Sequence, residues 1–177
     1  MARVIHILNR SALTAKELSS ITPVLGRIFT STVVQEEADL DLHSAYDASR
    51  KQSNSTALLA QILRQEAGSG DKRIAVVDID LFVPILTFVF GEAQLNGSAA
   101  IVSTYRLSNQ FYGLARDPRL LLQRLEKEII HELGHTFGLL HCHQFECVMR
   151  SSTYVEEIDL KKPFPCAECG ELIPSPS

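Results

Sequence analysis

The 177-residue sequence has no tryptophan, only two methionines and no excess of positive charge. Its 17 lysines and arginines are outnumbered by 21 aspartates and glutamates, which gives a net charge of −4. A chain with this balance lacks the basic surface that tracks nucleic acid, so we expect no nucleic-acid partner. No stretch is long and apolar enough to cross a bilayer, and the first nine residues are too short for a secretory signal. We therefore expect a cytoplasmic protein that does not associate with membranes.

Cysteine is absent from the first 141 residues, and all four cysteines follow that point. In a reducing compartment, such a cluster indicates a metal site more readily than disulfides. Cys166 and Cys169 have the Cys-x-x-Cys spacing, and Cys142 and Cys147 form a wider pair. Four thiolates suit a closed, tetrahedral, structural zinc site. Disulfides or free buried thiols are the alternative.

The length and composition suit one globular domain over residues 1–177, since 45% of the residues are hydrophobic and 21% are charged. Runs rich in β-branched residues predict strands over residues 3–8, 32–34, 73–80, 88–95 and 99–105. Apolar residues at helical spacing predict helices over residues 15–29, 55–67 and 118–138. Pro23 is expected to kink the first helix, and Asn96-Gly97 to form a hairpin turn. The alternation of strands and helices predicts an α/β protein.

The most informative segment has the sequence HELGHTFGLLH and begins at His131. Positions i and i+4 share a helix face, so His131 and His135 can bind one ion together. Gly138 can end the helix with an unusual φ and a sharp turn, which brings His141 back as a third ligand. Three imidazoles leave a fourth position for water, which is the pattern of a catalytic zinc.

Glu132 follows the first ligand and can reach a zinc-activated water without binding the metal. A zinc ion lowers the pKa of bound water from about 15.7 towards 7 and polarises a carbonyl group. Glu132 can then act as general base and return the proton to the leaving amine. This equipment predicts a zinc metallopeptidase whose partner is a peptide or protein substrate. The alternatives are a zinc-binding or peptide-binding module without catalysis and a zinc-ribbon-like interaction domain.

The remaining histidines are expected to be structural or surface residues rather than ligands. His6 alternates within an apolar strand, and His43 lies in a polar segment. His143 and Glu146 lie near the cysteines in the sequence and are alternative metal ligands. We do not expect them to bind, because four thiolates already complete a tetrahedral set.

The extended histidine motif resembles that of the metzincin zinc peptidases, which carry a methionine turn beneath the metal. Met149 is the only methionine after the initiator and lies eight residues past His141, so the resemblance places it in that turn; filling the core is the alternative. Some metzincins have a tyrosine ligand two residues later, but this chain has Ser151 there. The motif runs directly into the four cysteines and Met149, in an order similar to the archaemetzincin family.

The resemblance implies a metzincin zinc-peptidase fold, in which a mixed twisted sheet is flanked by helices. It divides the chain into an N-terminal subdomain, residues 1–138, which includes the active-site helix, and a C-terminal subdomain, residues 139–177. The smaller part would carry the methionine turn and the four-cysteine site. Two zinc ions per chain follow, one catalytic and one structural.

In metzincins, the strand before the last strand of the sheet forms the upper edge of the cleft, and substrate lies against it as an extra strand. By order in the chain, the residues concerned are Phe90, Gly91, Glu92 and Ala93. Gly91 would permit close backbone approach, and Glu92 would favour substrates with a cationic amino-terminus. The alternative is that these are ordinary sheet residues. Both aminopeptidase and endopeptidase action are compatible with the motif, and no oligomeric state is predicted.

Overall fold

A computed structural model describes residues 3–65 and 68–174. Within those ranges the strands are β1 (Val4–Arg10), β2 (Thr32–Glu37), β3 (Tyr46–Asp47), β4 (Gln52–Asn54), β5 (Lys72–Val77), β6 (Leu81–Phe82), β7 (Gly91–Ala93) and β8 (Ala99–Ser103). The helices are α1 (Ala15–Ser19), α2 (Thr22–Phe29), α3 (Ser55–Arg64), α4 (Pro118–Thr136), α5 (Val155–Leu160) and α6 (Ala167–Glu171). No helix in the described ranges is both long and apolar enough to span a membrane.

The main sheet has five strands in the order β2-β1-β5-β8-β7. β1, β2, β5 and β8 are parallel, whereas β7 runs antiparallel to β8, with Gly91 opposite Val102. The mixed sheet is therefore confirmed, and β5 occupies the central position. Four consecutive apolar residues, 74–77, are fully buried in β5, as expected for a strand with covered faces. A smaller sheet has the order β3-β4-β6.

Helices cover both faces of the main sheet. Alternate residues of a strand point to opposite sides, so both faces present apolar side chains that the helices bury. On one face, Ile5 and Ile7 of β1 belong to a core cluster that includes residues of α1, α2 and α4. On the other face, Leu8 of β1 belongs to a cluster with Leu58 and Ile62 of α3. The flanking helices expected from the sequence are thus present on each side.

Several predicted element boundaries are wrong. Residues 15–29 form two helices rather than one kinked helix, because Pro23 lies in the first turn of α2, where a missing N–H costs nothing. The helix predicted over 55–67 ends at Arg64, since Gln65 is extended; residues 66 and 67 lie outside the described residues. The second strand extends to Glu37 rather than residue 34, and within 88–95 only residues 91–93 form a regular strand.

The C-terminal residues pack onto the same core as the sheet. Met149 and Val148 are fully buried in the cluster that contains α4, and Ile158 of α5 joins them. Lys127 of α4 also donates to the carbonyls of Ile158 and Asp159. The segment after α4 is therefore held directly against that helix.

Candidate active site

Helix α4 carries most of the histidine motif. It begins where predicted: the Asp117 side chain accepts a hydrogen bond from the Leu120 N–H at 2.9 Å, and Pro118 follows in the first turn. Leu125, Ile129 and Leu133 recur at helical spacing and are fully buried. This apolar stripe fixes the rotation of the helix, which in turn sets the direction of the histidines.

Three histidine rings converge at the end of α4. The Nε2 atoms of His131 and His135 lie 3.1 Å apart. The ring of His141 lies 5.3 Å from that of His131 and 4.9 Å from that of His135, between centroids. One ring nitrogen from each histidine falls in a group whose atoms are all within 4.8 Å of one another. The structure thus brings together the three predicted histidines.

Backbone carbonyls fix the orientation of two of these rings. His131 Nδ1 lies 2.9 Å from the carbonyl oxygen of Val148, and His135 Nδ1 lies 2.8 Å from that of Leu139. A carbonyl oxygen only accepts, so each Nδ1 carries the hydrogen and each Nε2 presents a lone pair. Two lone pairs at 3.1 Å repel each other unless a cation lies between them. This donor set therefore fits a zinc ion.

The surroundings of the three histidines favour the neutral form of the imidazole ring. Burial lowers the pKa of His131 well below its usual value, and burial lowers the pKa values of His135 and His141 as well. A neutral imidazole is the form that binds a metal, so burial favours the ligand state.

The turn after α4 delivers the third histidine. Gly138 has φ +93°, a left-handed conformation that glycine adopts without penalty. The His135 carbonyl accepts hydrogen bonds from Gly138 N–H at 2.9 Å and from Asn96 N–H at 2.8 Å. Lys72 Nζ donates to the Thr136 carbonyl at 2.9 Å. The predicted hairpin turn at 96–97 therefore contacts the helix end and supports the sharp turn towards His141.

Glu132 is buried beside the histidines, with 6% of its surface exposed. Burial raises the pKa of its carboxyl well above the usual value, and the neighbouring carboxylates of Glu128 and Glu92 raise it further. A β-carbon at Gly91 would lie 2.7 Å from Glu132 Oε1. The absence of a side chain at Gly91 therefore gives the Glu132 carboxylate the space that it occupies.

The site opens into a cleft of about 480 Å³. Its lining comprises residues 86–93, residues 151–153 and Glu128, His131, Glu132, His135 and His141. Phe90, Gly91, Glu92 and Ala93 therefore line the same cleft as the histidines. Glu92 Oε2 accepts a hydrogen bond from Ser55 Oγ at 2.5 Å, and Glu92 Oε1 accepts one from Thr56 Oγ1 at 2.9 Å.

Met149 lies against α4 at Gly134. It is fully buried, and a β-carbon at Gly134 would overlap its sulfur. The Met149 carbonyl accepts a hydrogen bond from Cys142 N–H at 3.0 Å. The residue after the last histidine is thus tied to the segment that contains Met149.

The four cysteines form a second cluster. Their sulfur atoms all lie within 4.8 Å of one another, and none of the four forms a disulfide in the structure. Cys147 Sγ accepts a hydrogen bond from the backbone N–H of Cys166 at 3.3 Å. Such a bond stabilises the thiolate form of Cys147. Burial raises the pKa values of Cys147 and Cys169. Four sulfurs at these separations fit a tetrahedral zinc site, and Glu146 instead pairs with Lys162 at 2.7 Å.

Comparison with known proteins identifies the family. The sequence model of peptidase family M54 matches residues 34–175. The chain belongs to peptidase family M54. The archaemetzincin of Methanocaldococcus jannaschii is 38% identical over 144 residues, which cover 81% of this chain and 78% of that protein. The resemblance to the archaemetzincins is therefore confirmed, and this family member is a zinc metallopeptidase.

Solved structures of archaemetzincins show the same fold as this M54 chain. The crystal structure from Methanopyrus kandleri superposes with a TM-score of 0.86 at 32% identity and covers 97% of this chain and 93% of that one. The structure from Archaeoglobus fulgidus, complexed with malonate, has a TM-score of 0.80 at 33% identity and covers 96% and 99%. The mixed α/β architecture of this chain is thus that of the archaemetzincins.

Sequence reasoning missed several residues around the site. Glu128 precedes Glu132 by four positions, so helical spacing alone would have placed both on one face. Lys161 lies 3.8 Å from Glu128 through the packing of α5 on α4, and nothing local in the sequence indicates that contact. Ser55 and Thr56 of α3 donate hydrogen bonds to Glu92, and they too are far from their partner in the chain.

Proposed function

We propose that this chain hydrolyses peptide bonds at a zinc ion held by His131, His135 and His141, with Glu132 as general base. The observation that carries the proposal is the convergence of three imidazole nitrogens beside a buried carboxyl in one cleft. When bound, a zinc ion lowers the pKa of a water molecule and polarises the substrate carbonyl. A peptidase needs both effects beside a proton acceptor.

The protein groups supply the proton transfers. A carboxylate oxygen of Glu132 accepts the proton of the attacking water and later donates it to the amine that leaves. Gly91 leaves room for the carboxylate, and the carbonyls of Val148 and Leu139 keep the Nδ1 protons in place so that the Nε2 atoms remain ligands.

We further propose that substrate binds as an extended chain along β7. This strand is at the end of the five-strand order, so one of its edges is open to another strand. Phe90, Gly91, Glu92 and Ala93 line the cleft next to the histidines, which supports this placement. Glu92 would pair with the ammonium of a substrate amino-terminus, which is the arrangement that an aminopeptidase needs.

The C-terminal subdomain, residues 139–177, is proposed to complete the site. Met149 would form the methionine turn, supported by its burial against Gly134. The four cysteines would bind a second, structural zinc ion that fixes the segment between His141 and Met149, supported by their clustering. The division into subdomains at residue 138 and the cytoplasmic location remain predictions.

One experiment tests the catalytic roles and the metal count together. Purified wild type and Glu132→Gln are analysed for zinc and assayed against a peptide library. We expect two zinc ions per chain in both proteins, and cleavage by wild type alone, because glutamine keeps the shape but cannot accept the proton. Equal cleavage by both proteins would refute the general-base role, and a single zinc per chain would refute the four-cysteine zinc site. Zinc binding without any cleavage by wild type would favour a peptide-binding module.

A further inference from the structure

One wall of the cleft contains polar atoms that have no hydrogen-bond partner within the described residues. Glu128 Oε1 and Ser152 Oγ are buried side-chain atoms in this state, and so is Lys161 Nζ, which lies 3.8 Å from Glu128 Oε1. Glu128 and Ser152 line the cleft itself. Buried polar atoms are nearly always hydrogen-bonded, so a group of unpartnered ones beside a cleft points to something that binds there.

Glu128 is the charged member of this group that lines the cleft. It lies one helical turn before Glu132, so the two carboxylates share a face of α4. Only 3% of Glu128 is exposed. The Lys161 ammonium lies 3.8 Å from Glu128 Oε1, beyond hydrogen-bond distance, and its side chain is 1% exposed. Lys161 therefore balances the charge of Glu128 without a hydrogen bond, while Glu128 itself lines the cleft.

The charges around this wall determine what can bind. Glu92, Glu128 and Glu132 are carboxylic acids that line the cleft, whereas Lys161 does not line it. A carboxylate has two oxygens and about four acceptor positions, so it can contact Lys161 and a second cation together. The hydroxyl of Ser152 is a further acceptor that lines the same cleft. A long side chain that ends in an ammonium or guanidinium group matches both acceptors.

We propose that Glu128, with Ser152, is a specificity-determining residue that binds the cationic side chain of a substrate lysine or arginine beside the scissile bond. Lys161 is the positioning residue that keeps Glu128 in place when no substrate is bound. The inference rests on the proposed peptidase function, since it assumes that peptides occupy this cleft. In the alternative, the Glu128–Lys161 pair only packs α5 against α4.

Peptide binding can be measured without cleavage in zinc-loaded Glu132→Gln. The probes are tetrapeptides with the same free amino-terminus, in which each position in turn is lysine, norleucine or glutamate. Norleucine keeps the apolar stem but lacks the charge. At one position we expect lysine to bind at least about tenfold more tightly than norleucine by calorimetry, as for a charge-assisted contact.

Two variants in the same background test the residues. Glu128→Gln combined with Lys161→Met removes both charges and leaves neither unpaired, and the lysine preference should fall to about twofold or less. Glu128→Asp keeps the charge but withdraws the carboxylate, and should lower the preference by at least about threefold if the double variant does not fold. Glu37→Gln on β2, at the opposite end of the sheet order, removes the same charge and should leave the preference intact.

Several results would overturn the inference. Equal binding of lysine and norleucine at every position would do so, as would tighter binding of glutamate. If the double variant folds and keeps the full lysine preference, the Glu128–Lys161 pair serves only to pack α5 against α4. Failure of the proposed function is distinguishable, because it would appear as absence of cleavage by wild type, whereas the binding ratios are read in a variant that does not need to cleave.

Discussion

The carboxylate of Glu132 lies in the space that a side chain at Gly91 would need. A β-carbon at position 91 would lie 2.7 Å from Glu132 Oε1 and 2.6 Å from the carbonyl oxygen of Ile101. Gly91 does not have a left-handed conformation, so the requirement at this position is for space. The edge strand β7 and the active-site helix α4 are therefore closer together than any other residue type would allow.

The first prediction follows from this contact. Gly91→Ala should displace the Glu132 carboxylate and lower kcat/KM for peptide hydrolysis by about 100-fold, because small displacements of a catalytic group have effects of that order. Zinc content should not change, since the ligands lie elsewhere. Gly170→Ala is the matched control, because a β-carbon there contacts nothing within 4 Å. Activity of Gly91→Ala close to that of wild type would contradict the close approach.

Glu92 gives the second prediction. Its Oε2 accepts hydrogen bonds from Ser55 and, at 3.1 Å, from Thr56. The single side-chain oxygen of glutamine can still accept both, so Glu92→Gln removes the charge with little disturbance. Wild type should cleave peptides with a free amino-terminus at least about tenfold faster, in kcat/KM, than the same peptides with an acetyl cap. In Glu92→Gln this ratio should approach one. An unchanged ratio would show that Glu92 does not recognise the substrate amino-terminus.

The contact between Gly134 and Met149 gives the third prediction. Replacing an interior helix glycine by alanine usually stabilises a helix by about 1 kcal/mol. Here the added methyl would overlap the Met149 sulfur, so Gly134→Ala should instead destabilise the protein by about 1–3 kcal/mol. Met149→Ala vacates that space and leaves a cavity, which the methyl at position 134 partly fills.

The double variant should therefore cost clearly less than the sum of the two single variants. Urea unfolding of the zinc-loaded proteins measures the three free energies, and a coupling energy above about 1 kcal/mol is expected for residues in contact. Costs that add to within about 0.5 kcal/mol would show that the two residues do not compete for one space.

The features that the sequence predicts well are those that depend on residues close together in the chain. The buried run at 74–77, the Asp117-Pro118 start of α4 and the Asn96-Gly97 turn each depend on neighbouring residues, and each is present in the structure. The histidine motif is local in the same way, because i, i+4 spacing and one glycine place its three side chains. Two predicted helices differ from the structure for an equally local reason, since the first is divided just before Pro23 and the second ends before Gln65.

What could not be predicted depends on distant segments. The partner of His131 Nδ1 is the carbonyl of Val148, which reaches the helix only after the chain has turned at Gly138. Lys161 approaches Glu128 through the packing of α5 on α4, 33 positions along the chain. Such contacts have no periodicity and no fixed spacing, so only the folded structure shows them.

Glu157 holds the wall of the cleft that residues 151–153 form, and it gives the last prediction. Its Oε2 accepts hydrogen bonds from the backbone N–H groups of Thr153 and Tyr154, at 2.6 and 3.1 Å. These bonds, first that of Thr153 and then that of Tyr154, lower the pKa of Glu157 from its ordinary value of 4.5. A lowered pKa means that the folded state favours the carboxylate. The contribution of Glu157 to stability is therefore complete above pH 4.5 and is lost as the pH falls through the lower, folded-state pKa.

We expect Glu157→Ala to lower the free energy of unfolding by about 1 kcal/mol at pH 7, as for loss of a helix cap. The difference from wild type should shrink steadily once the pH falls below 4.5, because wild type then loses the same carboxylate. Urea unfolding at a series of pH values measures this difference, and zinc release at low pH affects both proteins alike. Glu156→Ala is the control, since that neighbouring carboxylate does not cap residues 153 and 154. A difference that stays constant down to pH values well below 4.5 would show that the charge of Glu157 does not hold the wall.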